Sequence, residues 1–212
     1  MKLNPVLLAK AAGVNSIDPD ALVRLEQYAD LLAAANRRIN LISRSSELEQ
    51  EIKRQIVISL LPLRVDRTNP CRWIDIGSGG GFPVVPLAII ETGVEFIAVE
   101  AVAKKAYFIE RTAQELGLAN LRVIADGIER VIAKDPRPEC QVVSIKAVAD
   151  LPQSLAWAGE LLVHGGLLFT YKPSDSVPIA TVHNEKFEQL MVIDVKEVID
   201  ITSLSFVVYK KR

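Results

Sequence analysis

Hydrophobic positions in the first part of the chain recur at the spacing of an α-helix. Between residues 18 and 39, apolar side chains return every three or four positions, and Asp18-Pro19 is a typical helix start. A second stretch with the same periodicity begins at residues 45–46. A polar break containing a proline follows at residues 68–70. The pattern predicts a helical extension over residues 1–69 that packs on the rest of the chain rather than folding alone.

From residue 70 onward, short apolar runs of strand length alternate with amphipathic stretches of helical length. The predicted strands are 73–76, 94–99, 121–125, 140–144, 167–171, 188–198 and 203–209, and the predicted helices are 84–90, 102–116, 128–133 and 151–162. Only a short link near Asp200 separates the last two strands, which predicts an antiparallel hairpin. Residues 70–212 are therefore expected to form an α/β domain with a Rossmann-like, seven-stranded and mostly parallel sheet.

The segment between the first predicted strand and the next helix is rich in glycine. It reads Ile76-Gly77-Ser78-Gly79-Gly80-Gly81-Phe82-Pro83. Glycines let the main chain turn tightly without a steric penalty from Cβ, and Pro83 favours the start of a helix. A strand, a glycine turn and a helix bring main-chain N–H groups close to a ligand at the carboxyl end of a parallel sheet. Taken alone, the loop is also compatible with an ordinary tight turn.

An acidic residue follows the second predicted strand at the distance expected for a nucleotide site. Glu100 lies 19 residues after Gly81, close to the separation at which the acid of a Rossmann domain binds ribose hydroxyls. By itself, Glu100 is equally compatible with a solvated strand end. The glycine loop and the acid together predict a site for a ligand that contains adenosine.

The loop favours S-adenosyl-L-methionine over a dinucleotide. A dinucleotide site requires Gly-x-Gly-x-x-Gly around a pyrophosphate, whereas this loop continues past Gly81 into Phe82-Pro83, where the pyrophosphate would lie. S-adenosylmethionine carries no phosphate and needs room for an amino acid moiety. Asp75 is expected either to lie near the α-ammonium group of that moiety or to order the loop. A nicotinamide enzyme is the weaker alternative.

Composition restricts the location and the partners of the protein. Half of the 212 residues are hydrophobic, enough for a substantial core. No apolar stretch has the length of a membrane span or a signal peptide, and Cys71 and Cys140 are isolated, so we expect a cytoplasmic protein without a metal site or disulfide. The net charge of −1 excludes binding of nucleic acid over the whole surface.

Several segments of the chain resemble one family. They are residues 39–42 (Ile-Asn-Leu-Ile), the Ser59-Leu60 helix, the loop at 74–83, the Lys104-Lys105-x-x-Phe108 helix, the run Ser144-Ile145-Lys146-Ala147, and Tyr171-Lys172. The chain is similar to the glucose-inhibited division protein B family, bacterial methyltransferases that modify N7 of a guanine in small-subunit ribosomal RNA. The resemblance covers nearly the whole chain, and the glycine loop ending in Phe-Pro is its most specific part.

The resemblance implies a class I S-adenosylmethionine-dependent methyltransferase whose partner is 16S ribosomal RNA or the small ribosomal subunit; we expect a monomer. It further implies a donor site at Gly77 and Phe82, contacts to the adenine from Ile128-Glu129, and a contact near the donor from Lys146. The expected cofactor-binding residues are Asp75, Gly77, Ser78, Gly79, Gly81, Phe82, Glu100, Ile128, Glu129 and Lys146. No catalytic base is expected, because guanine N7 already carries a free lone pair.

The chain departs from the family pattern in two places. Members usually carry Arg-His-x-x-Asp-Ser-Leu on the second helix, where this chain has Gln55 for the His and Ile58 for the Asp. The Ser-Arg-Ala of the fourth strand is replaced by residues 144–147, in which Lys146 is the best match for the arginine. Lysine lacks the planar fork of arginine. Two alternatives therefore stay open: a member that binds the donor or the ribosome without transfer, and a methyltransferase of a non-RNA substrate.

Basic side chains supply the candidate contacts to RNA, which are Arg37, Arg38, Arg44, Arg54 and Lys172. The arginines predict a local basic patch on the extension, with solvated helix faces as the alternative. Lys146 and Lys172 follow the ends of strands four and five, where each would contact RNA phosphate or the donor carboxylate unless it is simply exposed at a strand end. Tyr107 and Phe108, on the helix after Glu100, are expected in the core.

Overall fold

The computed structural model describes residues 1–42, 47–66, 72–173, 185–198 and 204–212. The helices are α1 (Pro5–Ala12), α2 (Pro19–Asn36), α3 (Leu48–Ser59), α4 (Val84–Ile90), α5 (Ala103–Glu115), α6 (Ile128–Ile132), α7 (Leu151–Leu161) and α8 (Val195–Val198), with a 3₁₀ helix at Leu61–Arg64. The strands are β1 (Arg72–Ile76), β2 (Glu95–Val99), β3 (Leu121–Ile124), β4 (Cys140–Lys146), β5 (Leu162–Pro173), β6 (Phe187–Asp194) and β7 (Leu204–Lys211).

The seven strands form one sheet in the order β3-β2-β1-β4-β5-β7-β6. Strands β1 to β5 run parallel, and β7 runs antiparallel to both β5 and β6. The predicted α/β class, the seven-stranded sheet and the antiparallel hairpin are confirmed. Because β1 lies between β2 and β4, the strand order reverses there, and the loops after β1 and β4 diverge. Such a switch point leaves a crevice at the carboxyl ends of the strands.

The helices cover the two faces of the sheet unequally. On one face, α6 and α7 pack on the aliphatic side chains of the strands. On the other face, α4 and α5 pack on a layer that contains Trp73, Phe96 and Phe169, and α1 to α3 of the extension belong to the same hydrophobic core. No helix in the described ranges combines the length and the apolar character that crossing a bilayer requires.

The extension is tied to the sheet domain by buried side chains of its own helices. Helix α2 begins at Asp18, whose carboxylate accepts hydrogen bonds from the main chain of Asp20 (2.9 Å) and Ala21 (3.0 Å). Its apolar stripe, including Leu25 and Leu32, is fully buried. Helix α3 starts at Leu48, and residues 45–46, where its start was expected, lie outside the described residues. The expected boundary between extension and domain, at residues 69–70, also lies outside them.

Two strands differ from their predicted bounds for local reasons. Strand β5 begins at Leu162, five residues before the predicted start, because Leu162 already pairs with Cys140 of β4. The register then shifts, so that Leu167 pairs with Val142 and the segment around Gly165 is an irregularity within the strand. Strand β6 ends at Asp194, and residues 195–198 form a helical turn instead of continuing the strand. The Asp194 carboxylate accepts a hydrogen bond from Lys196 N (3.0 Å), and Val195 and Val198, three residues apart, are both buried.

Candidate active site

A cavity of about 640 Å³ opens at the crevice between the ends of β1 and β4. Its walls come from the glycine loop, the end of β2, residues 126–129 after β3, the end of β4, and helix α3 of the extension. This volume lies within the roughly 300–1,000 Å³ that is typical of small-molecule sites. The sheet and the extension therefore build one site together.

The glycine loop turns through backbone conformations that L-residues avoid. The φ angles are +70° at Gly77, +56° at Gly79 and +97° at Gly81. The main-chain N–H groups of Gly77 and Ser78 donate to the carbonyl of Val99, at 2.8 and 3.3 Å, which fixes the loop to the end of β2. Within the described part of the chain, a Cβ at Gly79 would have only the carbonyl oxygen of Gly77 nearby, at 3.9 Å. At Gly79 the loop therefore presents open main chain to the cavity.

Replacing Gly77 with alanine is expected to destabilise the fold. The positive φ costs an L-residue about 1–2 kcal/mol, and the new Cβ would lie 2.3 Å from Cγ2 of Val148, an overlap that typically costs about 1–3 kcal/mol. The free energy of unfolding in urea should fall by about 2–5 kcal/mol. Gly93→Ala is the control, since no atom lies within 4 Å of its Cβ. Equal stability of the two variants would contradict this account.

Glu100 holds the loop and faces the cavity at the same time. Its carboxylate accepts hydrogen bonds from Gly79 N (2.8 Å) and Val102 N (2.9 Å), and the residue is 6% exposed. An ionised carboxylate offers about four acceptor positions. Two main-chain bonds therefore leave acceptor capacity for hydroxyl groups of a ligand in the cavity that Glu100 lines.

The extension supports the loop from its other side. The buried hydroxyl of Tyr28 on α2 donates to the carbonyl of Gly80 (2.7 Å), and the Tyr28 ring packs edge-on against Phe82 with centroids 5.5 Å apart. A Cβ at Gly81 would meet Cγ2 of Val85 at 2.7 Å and the Tyr28 hydroxyl at 3.1 Å. Sequence periodicity placed Tyr28 in the core but gave no signal for this contact with the loop.

Asp75 lies beneath the loop and is 1% exposed. Its Oδ1 accepts a hydrogen bond from the Ser144 hydroxyl (2.6 Å), which itself accepts one from Trp73 Nε1 (2.9 Å). Its Oδ2 is buried with no hydrogen-bond partner among the described residues. Burial raises the pKa of the Asp75 carboxyl to about 7, although the hydrogen bonds from Ser144 and Ser78 and the ammonium of Lys146 act in the opposite direction.

The raised pKa of Asp75 predicts an unusual pH dependence of stability. Between about pH 4 and 7 the unfolded chain has released the proton that the folded protein keeps, so the free energy of unfolding falls as pH rises through this window. Asp75→Asn cannot titrate, and its stability relative to the wild type should therefore increase from pH 4 to 7 and then level off. Urea unfolding at a series of pH values measures this difference.

Asp126→Asn is the matched control for that experiment. A hydrogen bond from Arg130 lowers the pKa of the Asp126 carboxyl, so its stabilising effect is complete above about pH 4 and is lost only at lower pH. The stability difference between Asp126→Asn and the wild type should therefore stay nearly constant from about pH 4 to 7. A stability difference between Asp75→Asn and the wild type that stays constant from pH 4 to 7 would exclude a raised pKa at Asp75.

Lys146 is part of a polar network that joins β4 to α3. Its ammonium donates to Oε1 of Gln55 and lies 5.1 Å from the centroid of the Phe82 ring. The Gln55 amide donates in turn to Glu51 (2.7 Å), which also pairs with Arg54. Burial lowers the pKa of the Lys146 ammonium to about 8, against the effect of the nearby Asp75 and Glu51 carboxylates. Lys146 is therefore a partly buried cation in the cavity wall, not an exposed strand end.

Comparison with known proteins identifies the family. A family model described as rRNA small subunit methyltransferase G matches residues 21–203. The ribosomal RNA small subunit methyltransferase G of Magnetococcus marinus is 31% identical over 207 residues, covering 94% of this chain and 91% of that protein. The protein of the same name from Neisseria gonorrhoeae is 35% identical over 161 residues, covering 73% of this chain and 74% of that protein. The chain belongs to the rRNA small subunit methyltransferase G family.

Solved structures share the fold of this methyltransferase G family member at low sequence identity. A putative O-methyltransferase from Klebsiella pneumoniae superposes with a TM-score of 0.64 at 14% identity, over 98% of this chain and 96% of that one. A mutant of MtNAS in complex with S-adenosylmethionine superposes with a TM-score of 0.56 at 14% identity, over 89% and 75% of the two chains. The predicted class I methyltransferase fold is confirmed.

The cavity fits the methyl donor of this family, S-adenosylmethionine. Its volume is sufficient, its floor at Gly79 is bare main chain, and Glu100 retains acceptor capacity. The expected donor residues that line it are Gly77, Ser78, Gly79, Phe82, Glu100, Ile128, Glu129 and Lys146. Asp75 and Gly81 do not line it. The Asp75 carboxylate accepts a hydrogen bond from Ser144 on β4, and the hydroxyl of the loop residue Ser78 donates to the main-chain carbonyl of Asp75 (3.3 Å). Gly81 is needed for close packing against α4 and Tyr28.

Several residues that line this cavity were not among the expected donor residues; they are Glu51, Gln55, Lys105, Asp126 and Trp157. Asp126 carried a usable signal, because an acid directly after a parallel strand lies at the same edge of the sheet as Glu100. Gln55 was singled out only as the replacement of a family histidine, and Glu51 carried no signal, since their place in the cavity depends on how α3 packs against the sheet domain. Among the described residues, no group of three or more His, Cys, Asp or Glu side chains is placed to hold a metal ion.

The candidate RNA contacts lie in different surroundings. Arg37 and Arg38 are exposed at the end of α2, beside a second cavity. Arg54 pairs with Glu51 near the donor cavity. The Lys172 ammonium donates to the carbonyl of Ala149 (2.8 Å), and burial lowers its pKa. Arg44 lies outside the described residues.

Proposed function

We propose that this protein transfers the methyl group of S-adenosylmethionine to N7 of a guanine in 16S ribosomal RNA. The proposal rests on one observation, a single cavity whose two sides differ in chemical character. Open glycine main chain and Glu100 form one side, and Phe82, Lys146 and Gln55 form another. Family membership supports a ribosomal RNA acceptor, since the relatives are ribosomal RNA small subunit methyltransferases.

The donor side of the cavity would hold the adenosyl group. Glu100 would accept hydrogen bonds from the ribose hydroxyls, while its bonds to Gly79 and Val102 keep the carboxylate in place. Ile128 and Glu129, at the start of α6, would contact the adenine. The main chain at Gly77 to Gly79 would lie against the amino acid moiety. When bound, S-adenosylmethionine supplies an electrophilic methyl group on a sulfonium.

The acceptor side of the cavity would position the guanine. N7 has a free lone pair, so no side chain has to remove a proton, and alignment of the base with the methyl group is the main requirement. Such alignment contributes about 7 kcal/mol or more when the reacting atoms are held in line. Phe82 contributes an apolar part of the cavity wall, and the Lys146 ammonium over its ring offers a cation for an RNA phosphate or the donor carboxylate.

Transfer of a labelled methyl group tests the proposal. The protein would be incubated with labelled S-adenosylmethionine and, separately, small ribosomal subunits, free 16S RNA and large-subunit RNA. We expect label in 16S RNA or its subunit, recovered as 7-methylguanosine after nuclease digestion. Comparing the two acceptors shows whether naked RNA or the assembled subunit is the substrate. Label in another nucleoside would overturn the assignment of N7.

A second candidate function is donor or ribosome binding without transfer. It is favoured by Gln55 and Ile58, which replace a His and an Asp of the family pattern; Gln55 lines the cavity and Ile58 is buried. Calorimetric binding of S-adenosylmethionine without transfer to any ribosomal RNA would support this candidate and contradict the first.

The extension and the sheet domain are proposed to act as one folding unit, with residues 1–69 and 70–212 as its two parts. The shared hydrophobic core and the Tyr28 contact with Gly80 support a single folding unit made of these two parts. A single cooperative unfolding transition, followed by far-UV circular dichroism and by the fluorescence of Trp73 and Trp157, would agree with it. Gel filtration with light scattering tests the expectation that the protein is a monomer.

A further inference from the structure

A second cavity of about 610 Å³ lies between the end of α2 and the outer side of α5. We call it the α2–α5 groove. Leu31, Ala34 and Ile39 provide its apolar wall, and Phe108, which is 7% exposed, belongs to its floor. None of its lining residues lines the donor cavity. The groove is therefore separate from the donor cavity.

Positive charge surrounds this groove. Arg37 and Arg38 are exposed, and neither side chain forms a hydrogen bond or ion pair with another described residue. Arg111 is about half exposed and pairs with Glu115 at 3.1 Å. Among the residues that the structure describes, three guanidinium groups and one carboxylate thus line the groove. This balance favours a polyanion over a neutral or basic partner.

Tyr107 presents an aromatic ring at the same place. It is 63% exposed, which shows that the prediction of a core position was wrong for Tyr107 and right for Phe108. Tyr107 lies three residues after Lys104 and four before Arg111, so the three side chains share one face of α5. The row Lys104, Tyr107 and Arg111 on α5 is therefore basic and aromatic, and the exposed Glu110 and Glu115 lie beside it.

Helix α5 also connects the groove to the donor cavity. Lys105, in its first turn, lines the donor cavity, and Tyr107, Arg111 and Glu115 in the later turns line the groove. A chain that follows the exposed side of α5 would therefore run from the groove to the donor site. An apolar trough with an exposed aromatic ring and flanking cations is the arrangement that binds single-stranded nucleic acid, whose bases stack while its phosphates pair with cations.

We propose that the α2–α5 groove binds a single-stranded segment of the substrate RNA, with one base stacked on Tyr107 and phosphates paired with Arg37, Arg38 and Arg111. The proposal rests on the proposed function, since it concerns the same RNA. In this proposal, the RNA segment next to the modified guanine binds to a surface outside the donor cavity. A single base on the Tyr107 ring would be held without sequence preference, because every base offers an aromatic face.

Binding of 16S RNA at several salt concentrations tests this proposal. Tyr107→Ala should weaken the affinity roughly tenfold, because it removes a stacked base, whereas Tyr107→Phe keeps the ring and should bind within about twofold of the wild type. The double variant Arg37→Ala/Arg38→Ala should lower the slope of log K against log salt by about 1.4, at about 0.7 per phosphate contact.

The control variant is Arg137→Ala. Arg137 is an exposed arginine between α6 and β4 that pairs with Glu160, and it should change neither the affinity nor the salt slope. Affinity for S-adenosylmethionine, measured by calorimetry, should be unchanged in every variant, because no groove residue lines the donor cavity. Far-UV circular dichroism confirms that the variants are folded.

The outcomes separate failure of this inference from failure of the proposed function. If Tyr107→Ala and the double arginine variant bind 16S RNA with wild-type affinity and slope while the wild type methylates it, the groove assignment is overturned and the function stands. If the variants lose affinity for the assembled small subunit but not for naked RNA, the groove binds a ribosomal protein and the assignment is also overturned. Absence of methyl transfer by the wild type to any ribosomal RNA would count against the function itself.

Discussion

Replacing Glu100 with alanine is expected to raise the dissociation constant for S-adenosylmethionine at least about 100-fold. Two ribose hydroxyls would lose a charged acceptor, and hydrogen bonds to charged groups contribute about 1.5–3 kcal/mol each. The N–H groups of Gly79 and Val102 would also lose their acceptor, which loosens the loop that forms the cavity floor. Isothermal titration calorimetry with the donor and with its demethylated product measures the effect.

Glu95→Ala is the matched control for Glu100→Ala. Glu95 lies at the opposite end of the same strand, where its carboxylate pairs with Arg72 (2.7 Å) and is about 40% exposed. Exposed ion pairs contribute little to stability, so this variant should bind the donor as the wild type does. If Glu100→Ala also bound the donor with wild-type affinity, the ribose assignment and the donor site built around it would both fall.

Replacing Lys146 with methionine is expected to lower the rate of methyl transfer roughly 30- to 100-fold, the equivalent of about 2–3 kcal/mol for loss of a charged contact. Methionine keeps an apolar chain beside Phe82 but removes the cation from the cavity wall. Lys210→Met is the control, because Lys210 is an exposed lysine opposite Leu167, away from the cavity. Single-turnover transfer to 16S RNA at saturating donor measures the rate.

The lowered pKa of Lys146 also predicts how the wild-type rate depends on pH. As pH rises through about 8, the Lys146 ammonium loses its proton and its positive charge. The rate should therefore decline above this pH. If only the charged form of Lys146 is active, the decline is about tenfold for each further pH unit. Lys146→Arg stays charged and should show no such decline. A decline in both proteins would place the titrating group elsewhere.

The two sites of departure from the family pattern contact each other in the folded protein. Gln55 replaces the histidine and Lys146 matches the arginine, and the Lys146 ammonium donates to the Gln55 amide. The amide accepts from the ammonium through Oε1 and donates to Glu51 through Nε2, just as a neutral imidazole can accept through one ring nitrogen and donate through the other. The pair therefore forms a connected polar network, which is a physical reason to expect that transfer survives both changes.

Much of the donor site was predictable from sequence because its requirements are local. Positive φ angles at Gly77, Gly79 and Gly81 require glycine, and the position of Glu100 directly after β2 places its carboxylate at the carboxyl edge of the sheet. The alternation of strand and helix patterns likewise predicted the seven-stranded sheet. Strand ends moved where local contacts prevailed, as at Asp194, whose carboxylate caps a helical turn.

Other features depended on contacts between distant parts of the chain. Gln55 and Lys146 are 91 residues apart, and Tyr28 and Gly80 are 52 apart. Periodicity marks one face of a helix as buried but does not say which segment covers it. For the same reason, Tyr107 was predicted in the core although only its neighbour Phe108 faces inward.

The sequence by itself determined the type of sheet, the glycine loop and the acid that follows β2, because backbone conformation and strand polarity depend on neighbouring residues. Only the tertiary structure decided that α3 supplies Gln55 to the cavity, that Asp75 lies beneath the loop, and that an aromatic and basic groove forms between α2 and α5. The position of Asp75 depends on the pairing of β1 with β4, which brings Ser144 to its carboxylate. The other two features depend on how the extension packs on the sheet domain, and a local pattern carries no information about either contact.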